Sequence, residues 1–540
     1  SYAIPLRVPA GRNGLNPKLS LQYSSAAGSS AAGIGWTLTG ISTVERLTVR
    51  GLPRYGSVQD PVQSGEDRFY SGGELVQISG TPYYRVRFEG GFIRYRWHHT
   101  GDQKGYWTAE FPDGSIAFYG GRYKQNAARK VDASQATVDV SSQVSSAKGT
   151  FRWMLTSMID PNGNRLEYKY FRDGSQVYLE SAQWVFDKDN KPLYQMQFEY
   201  ETRPDVISDG KPGFELLTTK RIKKIRSLSA GTDYRSYVLE YDQKSYLSRL
   251  VKVTQFGNDK VSAYPVKFTM TYSSADYTQD NAQMVSMPTS LAQNFVNGNS
   301  DLVDINGDGL PDVIDTSKST HRFHLNTMTL KDLKQDKHDY QKPYENPKET
   351  SGAQLSNRDV QMLDFNGDGF VDLVSAVTKT ILLNLGKGKW ENASESLQSS
   401  FPSPGANPNR RFFDFNGDKA IDIIEIIGGS VVYWVSDGKG SWKKVTGTQQ
   451  IGADFATDQL RLIDMNGDNL SDAVQIFEGK LRYKKYLGYG KWSTNWTVIP
   501  VQGLTQSLSK QVRFADVNGD GMADMVAFIA NSIKFFVNRN

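Results

Sequence analysis

The sequence predicts an all-β chain: an N-terminal antiparallel β-sheet domain followed by a β-propeller with calcium loops. Three observations carry this. Apolar and polar residues alternate in short runs, an acidic loop motif recurs five times in the second half, and helix signals are scarce. The alternation is clear at Tyr83 to Phe88, Phe92 to Trp97, Leu166 to Phe171 and Tyr237 to Tyr241. Asp113-Gly114, Asn162-Gly163 and Asp173-Gly174 punctuate such runs. Residues of this kind reach positive φ cheaply and so close hairpins.

The 540 residues exceed one ordinary core, so at least two domains are expected. With 28 Tyr, 26 Phe and 10 Trp the chain has the apolar surface to fill them. The net charge of +5 is too small for a broad nucleic-acid-binding face. The densest basic run, Lys220, Arg221, Lys223, Lys224 and Arg226, reads as a solvated strand face. The absence of cysteine excludes disulfides, zinc-thiolate sites and thiol catalysis. No apolar stretch approaches the ~18 residues of a membrane span.

Three segments follow along the chain: residues 1–272 as the first β domain, 273–300 as a polar linker, and 301–540 as the propeller. Residues 125–149, rich in Ala, Ser, Val and Gln without an aromatic, read as a long mobile loop.

The repeat is the strongest signal. Its copies are Asp304-Ile-Asn306-Gly-Asp308-Gly-Leu310-Pro-Asp312, Asp364-Phe-Asn366-Gly-Asp368-Gly-Phe370-Val-Asp372 and Asp414-Phe-Asn416-Gly-Asp418-Lys-Ala420-Ile-Asp422. Two more follow, Asp464-Met-Asn466-Gly-Asp468-Asn-Leu470-Ser-Asp472 and Asp516-Val-Asn518-Gly-Asp520-Gly-Met522-Ala-Asp524. A spacing of about 50 residues suits a four-stranded propeller blade. Each loop leads into an apolar strand, and three copies add Gly-x-Gly-x-Trp at Gly386–Trp390, Gly438–Trp442 and Gly488–Trp492. Five to seven blades are expected. A strand from about 285 to 303 is one way to complete the fifth blade; a longer natural chain is the other.

Alternate residues of a tight loop converge on one point, so positions 1, 3, 5 and 9 present oxygens, with the position 7 carbonyl (Leu310, Phe370, Ala420, Leu470, Met522) available as a further ligand. Three carboxylates and an amide suit Ca2+, which takes 6 to 8 oxygens, whereas Mg2+ prefers a smaller octahedral shell. No His or Cys lies in any loop, which argues against transition metals. Up to five ions are expected. Lys419 at position 6, where Gly turns most easily, marks the third site as the weakest.

The loops resemble the FG-GAP and VCBS repeats of integrin-type propellers, which implies structural ions. In the first half, Ser1–Tyr23, Gly33-Ile-Gly-Trp-Thr-Leu-Thr-Gly-Ile41, Asp67-Arg68-Phe69-Tyr70, Trp153 to Asn164, Arg203-Pro204-Asp205, Thr219 to Arg226, Ser236 to Tyr241 and Ser248-Arg-Leu250 resemble, in order, the SpvB-type N-terminal domain. The same pairing of domains opens the B component of bacterial insecticidal toxin complexes. That resemblance implies a secreted or cell-surface bacterial scaffold without catalysis, docking other protein components such as a pore-forming subunit. An adhesin-like propeller gripping a glycan or host protein and a carbohydrate-active enzyme are the alternatives.

The ADP-ribosyltransferase signature of Arg, Ser-Thr-Ser and Glu-x-Glu is not matched. The sequence has no Ser-Thr-Ser, and Glu199-Tyr-Glu201 lies in an alternating strand. His98 and His99 face opposite ways and do not share a metal, and His321 and His324 read as surface-strand residues.

Overall fold

In the computed structural model the described residues are, in the first half, 1–25, 27–56, 67–101, 104–123, 136–243, 246–257 and 266–272. In the second half they are 299–307, 312–325, 344–345, 354–356, 360–375, 380–386, 389–393, 409–427, 430–437, 441–447, 449–455, 460–501, 504–506, 512–516, 521–529 and 532–539. The fold is all-β.

A 16-stranded antiparallel sheet dominates the first half. Its strands Ile116–Tyr119, Lys104–Glu110, Arg94–Gly101, Tyr83–Val86, Glu74–Gln77, Phe69–Tyr70 and Thr43–Arg46 lead to Gly149–Ile159. Ile116–Tyr119 also pairs with Gly149–Ile159 (Ile116 opposite Ile159), so this part closes into a barrel and loses its edges. Inward side chains fill it with rings. Trp97, Trp107, Trp153 and Phe69 pack at centroid distances of 5.2–6.3 Å. From Gly149–Ile159 the sheet runs on through seven further strands, from Arg165–Asp173 to Val266–Thr269.

The motifs singled out in the sequence hold this sheet together. The Asp160 carboxylate accepts hydrogen bonds from the Asn162 and Asn164 amides at 2.9 and 2.8 Å and from Asn164 Nδ2, closing the turn at Gly163. Arg203 and Asp205 form a buried pair. Arg203 donates to Ser30 O and Ser29 Oγ, while Asp205 accepts from the Ser248 amide, so one pair staples three segments. In the basic run, Arg221 meets Glu201 at 2.8 Å, Arg226 meets Asp233 at 2.7 Å and Lys220 meets Asp173 at 3.4 Å. It is a strand face paired with acids.

The loop expected over 125–149 needs correcting. Residues 124–135 lie outside the described residues, but Thr137–Val138 pairs with Gly121–Arg122 and Gln143–Ser146 pairs with Gly149–Ile159. Polar burial holds the segment without aromatics: Gln143 Nε2 donates to the Gly105 and Gly120 carbonyls at 3.0 and 2.8 Å.

Among the described residues the second half holds five consecutive antiparallel meanders, four of four strands and one of three. Ser300–Val303 pairs with Asp312–Asp315 and opens the first meander, so it does not complete the fifth. Residues 285–298 lie outside the described residues. Each meander shares an apolar core with the next. One such core joins Ile314 and Phe323 to Leu373 and Trp390; another joins Val474 and Tyr483 to Met525. Consecutive sheets therefore stack on one another through shared apolar cores.

Two recurring links cross these interfaces. The hairpin tryptophans reach back one repeat: Trp390 stacks on Phe323 at 5.3 Å, Trp442 meets Phe365 at 6.1 Å, and Trp492 Nε1 donates to Tyr433 Oη at 2.9 Å. A residue at or just past the end of the third strand also reaches back. Asn384 Nδ2 donates to Ile305 O at 2.8 Å, Tyr486 Oη to Phe415 O at 2.6 Å, and Asn538 Nδ2 to Met465 O at 2.7 Å. Asn384 is fully buried, and its loss leaves the Ile305 carbonyl without this donor. Asn384→Ala is expected to cost about 1–3 kcal/mol, read as a lower urea midpoint for the repeat half with the barrel tryptophan signal unchanged.

Candidate metal centre

The acidic loops are built from backbone hydrogen bonds as much as from charge. In the position 9 aspartate one carboxylate oxygen accepts the position 2 amide: Ile305 to Asp312 at 3.0 Å, Phe365 to Asp372 at 2.8 Å, Phe415 to Asp422 at 2.8 Å and Met465 to Asp472 at 3.1 Å. The other accepts an amide from the end of the third strand: Asn384, Ser436, Tyr486 and Asn538 donate to Asp372, Asp422, Asp472 and Asp524 at 2.7–2.9 Å. These aspartates and Asp312 are fully buried.

At position 1, Asp364, Asp414 and Asp464 accept from the position 4 glycine and the position 6 amide. Asp304 accepts from Gly307, and Asp516 from Gly521. At position 5, Asp368, Asp418 and Asp468 accept from the position 7 amides of Phe370, Ala420 and Leu470 and from the Nδ2 of Asn366, Asn416 and Asn466. Asp308, Leu310, Asn518 and Asp520 lie outside the described residues, so loops two, three and four are seen whole.

Position 6 takes the left-handed conformation whatever the residue: Gly369 at φ 93°, Lys419 at 71°, Asn469 at 68° and Gly521 at 88°. Lys419, unlike a glycine, carries a Cβ and bears the strain of that conformation, yet its amide still reaches Asp414 at 2.9 Å.

In loop three, carboxylate oxygens of Asp414, Asp418 and Asp422 lie within 4.8 Å of one another. Ligand oxygens about 2.4 Å from one Ca2+ can be no farther apart than about twice that distance. Burial pushes the Asp422 carboxyl up to about 8, with Asp418 and Asp414 adding repulsion. It pushes Asp468 up to about 7 and Asp372 to about 6, and holds Asp472 well above the usual range. What opposes these shifts is N–H groups of the loop and third strand. In loop four the Asn466 Oδ1, in a side chain only 1% exposed, has no hydrogen-bond partner. Converging buried carboxylates and an unpartnered amide oxygen fit a hard divalent cation, which would supply the missing positive charge.

The histidines behave as the strands dictate. His98 is buried, stacks on Tyr106 at 4.7 Å and bonds Thr108 Oγ1 at 2.8 Å, while His99 is exposed. His321 is buried, contrary to the surface reading, and His324 is half-buried; His338 lies outside the described residues. Glu201 is tied to Arg221, beside an exposed Glu199.

Sequence reasoning missed what sits on loops three and four. The Leu52 amide donates to Asn416 O at 2.6 Å, Tyr489 Oη donates to Leu52 O at 2.5 Å, and the Gly210 amide donates to Asp468 O at 3.1 Å. No local pattern marks Leu52 or Gly210 as contacts.

With this geometry in view, the chain resembles known families in both of its halves. Residues 1–189 match the family described as Salmonella virulence plasmid 65kDa B protein, and residues 364–425 match the FG-GAP-like repeat. Similar curated proteins are the mono(ADP-ribosyl)transferases SpvB of Salmonella typhimurium (strain 14028s / SGSC 2262) and of Salmonella dublin. Each is 25% identical over 201 residues, which is 33% of this chain and 31% of the relative. The match thus spans about a third of those proteins. A solved Photorhabdus luminescens Tc holotoxin pore contains a chain of similar fold, with a TM-score of 0.75 at 20% identity over 99% of this chain and 28% of the other. A TcdB2-TccC3 crystal structure is also similar, with a TM-score of 0.51 at 19% identity over 97% of this chain and 31% of the other.

The two roles of the loop aspartates separate by substitution. Asp472→Ala leaves the Met465 and Tyr486 amides unpaired, at about 1–3 kcal/mol each. Chemical denaturation in EDTA is therefore expected to register its loss, whereas Asp468→Asn is expected to be near neutral in EDTA.

Proposed function

We propose that this chain is a non-enzymatic, extracellular scaffold of a bacterial toxin complex. The repeat half docks other protein components, a pore-forming subunit among them, and calcium in its loops is structural. The observation that carries this reading is the likeness of nearly the whole chain to a Tc holotoxin chain, joined to the SpvB-family match at residues 1–189. The match to SpvB covers 31% of that transferase, and this sequence lacks the transferase's Ser-Thr-Ser, which supports a scaffold without catalysis. No helix among the described residues is long and apolar enough to cross a membrane.

The docking role is tested by titrating the purified chain against the pore-forming toxin-complex subunit encoded in the same genome. Saturable binding at micromolar concentration or below is expected; no binding at 100 µM by calorimetry sinks the docking role. Incubation with labelled NAD and candidate target proteins is expected to transfer no label, and transfer dependent on this chain would refute the non-enzymatic reading.

Calcium is tested separately. An ion that binds only the folded loops adds about 2.7 kcal/mol per site at a concentration of 100 Kd. EDTA should lower the melting temperature of the repeat half while the fold of residues 1–272 persists. Elemental analysis that finds no calcium, together with unchanged melting, would overturn the metal reading.

A further inference from the structure

The N-terminal half meets the repeat half on two of the acidic loops. Leu52 is 5% exposed and belongs to the core of the third and fourth meanders, with Phe415, Tyr433 and Tyr486. Its socket is made by glycines. A Cβ at Gly417, in loop three, would meet Leu52 Cγ at 2.9 Å, and one at Gly488 would meet Leu52 Cδ1 at 2.2 Å. Beside it, a Cβ at Gly210 would meet Leu470 Cδ1 at 2.8 Å and Asp468 O at 3.1 Å, so the 210 turn lies directly on loop four. Glu215 and Lys485 form an ion pair at the margin, and Arg54 lies over the Tyr489 ring at 5.8 Å.

The docking segments are braced from behind. Arg46, buried, pairs with Asp67, and Asp67 accepts the Arg54 and Tyr55 amides at 2.8 and 2.9 Å. Tyr55 Oη donates to Pro212 O at 2.6 Å, which ties the Leu52 segment to the Gly210 turn. The plug therefore comes preformed from the barrel.

The acceptors on the repeat side are the carbonyls of Asn416 and Asp468. These are position 3 of one loop and position 5 of the other, and their side chains belong to the candidate cation sets. Whatever fixes those side chains fixes the carbonyls that receive Leu52 and Gly210. We propose that loops 414–422 and 464–472 form a cation-set joint: a divalent cation bound in them strengthens docking of the N-terminal half, and docking strengthens cation binding. This rests on the calcium reading above and adds to it that loops three and four have a role that loop two, 364–372, does not. By linkage the two effects are equal in size. The unpartnered Asn466 Oδ1 is the observation, separate from the acidic residues, that points to a ligand in loop four.

Hydrogen–deuterium exchange reads the joint directly, because the Leu52 and Gly210 amides are themselves the donors. In the full chain with calcium, peptides spanning 50–56 and 208–214 should exchange at least about 10-fold more slowly than in EGTA, which lies within the typical coupling range of about 5–150-fold. A peptide from Gln176–Phe186 should not respond. Asp418→Asn with Asp468→Asn should abolish the difference, and Asp368→Asn should keep it. If calorimetry shows calcium bound while the two peptides exchange alike in calcium and EGTA, the joint is refuted and the calcium reading stands. If no calcium binds, both fall together. Leu52→Ala, which leaves every loop residue in place, supplies the reciprocal test: calcium affinity at two sites should fall about 5-fold, and unchanged affinity at all sites overturns the joint.

Discussion

The repeat half depends on the buried aspartate at the end of each acidic loop. It is the one group that holds a loop and a sheet in register together. One carboxylate oxygen closes the loop through the position 2 amide, and the other ties the loop to the far end of the third strand, 12 to 14 residues on. A fully buried carboxylate is costly unless its lone pairs are met. Here they are met by backbone groups that would otherwise be orphaned at the turn and strand end. The residue whose amide is captured then sends its side chain across to the preceding repeat, in three of the copies. Loop closure, strand register and the contact between neighbouring meanders are therefore one hydrogen-bonded chain.

The first half is organised by closure. An eight-strand ring removes the sheet edges, and its interior is filled by tryptophans whose rings meet edge-on or tilted, the arrangement that ring quadrupoles favour. The same barrel carries the Arg46–Asp67 pair, so the segment that leaves it toward the repeats is held rigid at its base. Rigidity in one half thereby becomes a geometric demand on the other.

The acidic loops were legible because their polar residues fall within nine positions of one another, and such spacing reports a convergence like that of Asp414, Asp418 and Asp422. The strands were legible from alternation, and the turn glycines from Asp-Gly and Asn-Gly pairs. The barrel was not, because alternation says which face of a strand is buried and nothing about its partner; the pairing of Ile116 with Ile159 is set by the whole sheet. The segment 137–149 misled because its buried residues are Asp139, Ser142, Gln143 and Val144, with no aromatic among them. The back-reaching residue escaped notice because its identity varies, Asn384, Tyr486 and Asn538, and its distance from the loop aspartate shifts between 12 and 14 residues. Leu52 between Gly51 and Pro53 looks like any loop leucine; its depth is decided by two glycines more than 350 positions away.

The hairpin tryptophan of each of three repeats touches its predecessor as well as packing in its own repeat. A unit of about 50 residues therefore carries with it the half of the contact that joins it to whatever came before, and presents to its successor a surface of the same kind. The ring that receives the tryptophan differs from junction to junction, Phe323, Phe365 or Tyr433, so neighbouring units are keyed to one another by which aromatic stands ready for the next tryptophan.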